Sequence, residues 1–167
     1  MDQGFTHCFC LTFGSEADRD AYLPHPAHAA FGAQYVRPSV EGVFVFDYWA
    51  LDGASEPAGP RKGGLRRTVA ARFPGDSSAA ERNAIYAGED SFAQIMEGRC
   101  ASYEWGVNNS PEGKDLGFTH CFTLGFEDEA QRDAWTDAPG MSDTLRAFHE
   151  RHPDLEEVLL FETTGGV

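Results

Sequence analysis

From residue 5 to residue 13 the chain alternates. Phe5, His7, Phe9, Leu11 and Phe13 fall on one side, and Thr6, Cys8, Cys10 and Thr12 on the other. A period of two with aromatic enrichment predicts a strand with one buried face. Gly14 ends it, and Ser15 with Asp18 three residues on predicts a helix start, because the hydroxyl can accept from an unpaired first-turn amide. That helix stops at Pro24, which has no N–H to continue the ladder. Pro26 suits the first turn of a second helix, whose Phe31 and Tyr35 lie four apart on one face. Pro38 closes it, and Val43-Phe44-Val45-Phe46 reads as a strand again.

Residues 51–64 carry Gly and Pro without periodicity and read as a linker. A strand follows from Leu65 to Phe73. Ser78 and Glu81 form a capping-box pattern at the start of a helix expected to run to about Gly98, with Ile85, Phe92, Ile95 and Met96 as its apolar stripe. Residues 101–106 read as a short strand and 107–116 as a polar loop.

The opening pattern then returns. Gly4-Phe5-Thr6-His7-Cys8-Phe9-Cys10-Leu11-Thr12-Phe13 and Gly117-Phe118-Thr119-His120-Cys121-Phe122-Thr123-Leu124-Gly125-Phe126 agree at eight of ten positions, 113 residues apart. That is an internal duplication. A helix capped by Asp128 with Gln131, a break at Pro139, a helix to about His152 and a strand at 158–162 complete the second copy. The order is β-α-β, linker, β-α-β-β-α-β. Its last six elements predict an α+β domain with helices on one face of an antiparallel sheet, and its first three match only the second half of such a domain.

Composition narrows the function classes. The formal net charge is -14, which repels nucleic acid and anionic membrane surfaces, and no basic face compensates. Five of the thirteen basic residues do cluster, at Arg61, Lys62, Arg66, Arg67 and Arg72: a solvated linker and strand edge, or a counter-charge for an anionic ligand. No run of eighteen apolar residues predicts a membrane span. The start has neither a basic nor an apolar leader region, so a cytoplasmic protein is expected. Cys8, Cys10, Cys100 and Cys121 form no CxxC or CxxH pair, and His7, His25 and His28 match no established ligand spacing, so no metal is expected.

The motif Gly-Phe-Thr-His-Cys-Phe, then Asp20-Ala21-Tyr22-Leu23-Pro24-His25-Pro26-Ala27-His28, then Val43-Phe44-Val45-Phe46-Asp47-Tyr48, resembles the stress-responsive α/β-barrel (Dabb) family. Leu65–Phe73 is similar to that family's first strand, and residues 102–106 to its second. The resemblance implies a ferredoxin-like fold whose sheet packs on a second copy, forming a dimeric α/β barrel with helices outside. The usual unit is a homodimer. Here residues 1–50 correspond to half a Dabb unit, 51–64 to a linker and 65–167 to a complete unit, about one and a half units in all. Three arrangements would complete the half-unit: residues 65–106 serving it, a partner chain, or an upstream segment of a longer tandem protein.

Members of the olivetolic acid cyclase type close a linear polyketide by aldol condensation without a cofactor. The residues that this resemblance assigns are His7, Tyr22 and His28 as catalytic groups. Phe9, Phe31, Arg67, His120 and Trp135 are the substrate-binding candidates. Chemically, a neutral imidazole can remove a proton next to a carbonyl near pH 7, and a phenol or second imidazole can polarise that carbonyl. Arg67 stands where those members have a histidine; it cannot act as a base but can hold a carboxylate or enolate. In the second copy His120 is retained, whereas Trp135 replaces the tyrosine, Ala138 the first histidine of the HPAH segment and Met141 the last. That unit is expected to be structural or to bind an apolar ligand. The overall expectation is a cofactor-independent cyclase, lyase or isomerase acting on a small carbonyl compound. The alternative is a non-catalytic stress-responsive or ligand-binding protein. On that alternative His7 and His120 are core histidines satisfied by backbone carbonyls, and Tyr22 is core packing.

Overall fold

Strand β1, Leu65–Arg72, pairs on both edges, with β3 on one side and β4 on the other. The computed structural model describes residues 4–50, 64–73, 78–87, 92–96, 98–153 and 155–164. The expected linker therefore falls, apart from Gly64, outside the described residues. The chain divides into a unit of residues 7–44 and a unit of residues 1–6 with 45–167.

The larger unit continues from β1 through α3 (Ala79–Ala87), α4 (Phe92–Met96), β2 (Ser102–Val107), β3 (His120–Phe126), α5 (Glu129–Thr136) and α6 (Met141–Arg151) to β4 (Glu156–Thr164). The sheet order is β2-β3-β1-β4, and every pairing is antiparallel. With helices between β1 and β2 and between β3 and β4, this is the ferredoxin-like α+β fold. The single helix expected over 78–98 is described in two pieces, with residues 88–91 lying outside the described residues.

Alternation decides the faces. Val69, Ala71, Trp105, Phe122, Leu124 and Phe126 pack with Ile95 and Met96 of α4, Trp135 of α5 and Met141 and Phe148 of α6. Phe122 and Phe148 are wholly buried. The opposite face carries small and polar residues: Thr68, Ala70, Glu104, Gly106, Cys121 and Thr123. Residues 45–49 pack along that side. The Val45 amide donates to the Lys114 carbonyl at 3.1 Å, and the Asn109 amide to that of Asp47 at 2.8 Å. The Tyr48 hydroxyl donates to Glu104 Oε1 at 2.8 Å and lies 3.4 Å from Thr123 Oγ1, itself 3.2 Å from Thr68 Oγ1. Burial, with Cys121 and Glu104 nearby, holds the Tyr48 hydroxyl far above the ordinary tyrosine range, so it stays a donor.

The smaller unit contains α1 (Glu16–Tyr22), α2 (Pro26–Phe31) and a π-helical turn, Gly32–Val36. The helix starts fall where the capping residues place them. The two strands expected there do not appear: residues 5–13 and 43–46 join no ladder among the described residues. Phe9 and Leu11, expected to be buried, are 75 % and 58 % exposed. The duplicate of 5–13 is a strand because β1 and β2 flank it and take up its backbone groups, an arrangement that the described residues do not give to 5–13. An alternating pattern makes a face, but only a neighbour makes a ladder.

Candidate functional site

Pro24 builds the first site by ending a helix. In a continuous helix the Ala27 amide would donate to the Leu23 carbonyl. Here the chain breaks, and Ala27 N–H donates instead to Nδ1 of His25, the N-cap of α2, at 3.2 Å. The Leu23 carbonyl is left to His28, whose Nδ1 lies 2.9 Å from it. A carbonyl oxygen only accepts, so Nδ1 must carry the proton, and the lone pair sits on Nε2. The ring of His28 packs against Tyr22 with centroids 4.3 Å apart and planes tilted by 33°, and Tyr22 meets Phe13 at 5.3 Å. Tyr22 and His28 are both half-buried. Phe31 contacts Phe9 edge-on at 6.3 Å and Tyr35 at 5.6 Å.

Thus Tyr22 and His28 come together, as do Phe9 and Phe31. His7 is exposed on the 5–13 segment. Among the described residues no hydrogen bond or ring contact joins it to His28.

The remaining candidates lie in the larger unit and form two separate places. Arg67 Nε donates to Glu162 Oε2 at 2.9 Å, and its Nη2 lies 2.8 Å from the same oxygen. The other oxygen of Glu162 takes Arg132. The Arg67 guanidinium also sits 5.6 Å from the centroid of the Trp135 ring. Arg67 and Trp135 are therefore neighbours, but Glu162 already answers the arginine's charge.

His120 lies four residues along the sheet from this group, because Arg67 pairs with Leu124 and Ala71 with His120. At the strand rise that is about 13 Å. His120 is 1 % exposed, its Nδ1 is 3.0 Å from Thr119 Oγ1, and its ring meets Phe73 edge-on at 4.8 Å. Burial, and then the charge of Arg82, push its pKa down to about 4, so the imidazole is neutral at pH 7.

Near that end of the sheet a cavity of about 190 Å³ is lined by Arg82, Val107, Asn108, Asp115, Gly117, Phe118 and Thr119. Its loop is organised by Asp115, which accepts from Asn108 Nδ2 at 2.9 Å and from the Gly117 amide at 2.7 Å. Polarity alone marks 107–116 as a loop and says nothing of this order. The signal that could have revealed it is an aspartate two residues before a glycine, the Asx-turn pattern. Among the described residues no helix is long and apolar enough to cross a membrane. Nor does any group of three or more His, Cys, Asp or Glu there stand ready to hold a metal.

Residues 1–50, which hold α1, α2 and the Tyr22–His28 pair, match the family model of the Stress Responsive A/B Barrel Domain. No curated protein matches the sequence. Among solved structures the chain is similar to the crystal structure of At3g17210 from Arabidopsis thaliana, at 17 % identity over 62 % of this chain and 99 % of that one, TM-score 0.45. The solution structure of the same Arabidopsis protein gives 18 %, 64 % and 91 %, TM-score 0.47. The hydroxynitrile lyase from Passiflora edulis gives 18 %, 60 % and 96 %, TM-score 0.42.

Proposed function

We propose that residues 7–44 of this chain carry an acid–base site acting on a small carbonyl compound, without a cofactor, in cyclase, lyase or isomerase chemistry. The observation that carries this reading is the fixed tautomer of His28. With Nδ1–H committed to the Leu23 carbonyl, Nε2 is the basic nitrogen. Proton removal from a carbon next to a carbonyl places positive charge on the ring, which that same Leu23 carbonyl stabilises through the Nδ1–H bond. The Tyr22 hydroxyl, on the adjacent ring, donates to the enolate oxygen as charge develops there. The carbanion then adds to a second carbonyl of the same molecule, or a leaving group departs. Proton transfer alone serves both outcomes. Phe9 and Phe31 supply apolar walls for a greasy substrate.

The test follows α-proton exchange in D2O by NMR, with acetylacetone and with a linear triketide thioester as probes. General-base contributions are typically 10²–10⁴-fold. His28→Ala should therefore slow exchange about 100-fold or more while the helical circular dichroism is unchanged, and Tyr22→Phe should slow it less. Exchange by the parent protein no faster than by a folded His28→Ala variant would falsify the reading.

A further inference from the structure

The loop between β2 and β3 is tied at its base, and its backbone is strained there. Leu116 has φ +54°, a left-handed conformation that a Cβ disfavours, while its side chain stays 54 % exposed and gains little by it. Asp115 holds that conformation, reaching past Leu116 to accept from the Gly117 amide at 2.7 Å. It also accepts from Asn108 Nδ2 at 2.9 Å, and the Asn108 amide donates to the Thr119 carbonyl at 2.9 Å. The two stems of the loop are thereby bound to each other. Strain of this kind persists only where the surroundings fix it, and it clusters at ligand clamps.

What the loop shapes is the cavity of about 190 Å³. Two residues of opposite charge line it, Arg82 from α3 and Asp115 from the loop, and Val107 and Phe118 add apolar wall. Asp115 takes these two hydrogen bonds from its own loop. A carboxylate has about four acceptor positions, so capacity remains for a further donor. Phe118 is buried, and the Arg72 guanidinium lies 4.6 Å from its ring centroid, so that wall is fixed.

We infer that this cavity binds a small zwitterion, an α-amino acid with a short apolar side chain. Charge decides the class. A simple carboxylate would meet the like charge of Asp115, and a simple amine that of Arg82, in a place where water screens less than at an open surface. A zwitterion sets its carboxylate on Arg82, whose planar fork matches two oxygens, and its ammonium on Asp115. Size decides the rest. At about 30 Å³ for each water of the liquid, the cavity has room for a ligand of about six to eight non-hydrogen atoms. Alanine and valine fall in that range and tryptophan does not. The site uses neither Tyr22 nor His28, and it stands whether or not that pair is catalytic.

Titration of the whole chain, followed through its backbone amide resonances by NMR, tests this. The probes are L-valine, isovalerate (valine without its amino group), isobutylamine (valine without its carboxylate) and L-tryptophan. Valine should shift the amides of residues 107–119 saturably. Each half-ligand should bind about tenfold or more weakly, because a hydrogen bond to a charged group is lost. Tryptophan should leave these resonances unmoved. Arg82→Gln should weaken valine binding by about tenfold or more while the spectrum stays dispersed. Isovalerate binding as tightly as valine makes this a plain anion site and overturns the inference. Equal binding of the amine or of tryptophan overturns it, and so does the absence of saturable shifts with valine. Unchanged valine affinity in a folded Arg82→Gln variant overturns it as well. Should that variant fail to fold, the ligand series on the parent chain decides alone.

Discussion

Lowering the pH from 7 to 5 should destabilise the larger unit through one imidazole. His120 is buried against Phe73, with Arg82 adding repulsion toward its charged form, so its folded pKa is pushed down to about 4. An unfolded histidine titrates near 6.5. The folded pKa is the lower of the two, so the unfolded state binds the proton first as pH falls. The stability that neutrality confers is thus complete above about pH 6.5 and is lost as pH drops toward 4. Linkage gives a loss of about 2 kcal/mol between pH 7 and pH 5, and about 3 kcal/mol by pH 4. The assay is urea unfolding at each pH for the parent and for His120→Gln, which cannot titrate. Carboxylates contribute to both curves, and so does His152, whose pKa is also lowered by burial. Subtraction removes them. The parent should lose about 2 kcal/mol more than the variant between pH 7 and 5. Parallel losses, or a His120 ring resonance that titrates near 6.5, would show that the imidazole is not held neutral by its surroundings.

Two further outcomes test the packing. A Cβ at Gly106 would lie 2.5 Å from the Trp49 carbonyl oxygen and closer still to Tyr48 Cδ2, so Gly106→Ala should cost about 1–3 kcal/mol in urea unfolding. A cost below 0.5 kcal/mol, on the order of ordinary surface substitutions, would mean that residues 48–49 do not press on β2. Phe148→Ala empties a wholly buried position on α6 and should cost about 3–5 kcal/mol by the same measurement. A loss under about 1 kcal/mol would show that α6 does not seal the core.

Local chemistry is the legible part of this sequence. Ser15, Ser78 and Asp128 each accept from the amide three residues on, at 3.1, 3.2 and 2.8 Å, because a cap needs only its own turn. Pro24 breaks the helix for an equally local reason, and the same break produces the His28 tautomer. The sheet is legible where its strands find one another inside residues 65–164. Arg67 marks the limit. Its charge on a strand suggests an anionic substrate, yet the carboxylate that it holds belongs to Glu162, 95 positions away. No window along the chain contains both groups.

The duplicated strand carries the same lesson further. Residues 5–13 and 118–126 share every helix-side residue, so any rule that reads pattern alone must assign them one structure. They differ because strand formation is a property of a pair: the backbone groups of 120–126 find β1 on one side and β2 on the other. The functional candidates divide the same way. His120 is enclosed by the completed sheet, its ring neutral and its Nδ1 turned to Thr119. Tyr22 and His28 need no sheet, since the bond that sets the imidazole runs to a carbonyl five residues back. A tyrosine–histidine ring pair built within one helix–turn–helix keeps its geometry whichever strand stands beside it, which is why the pair is formed here although residues 5–13 join no ladder among the described residues.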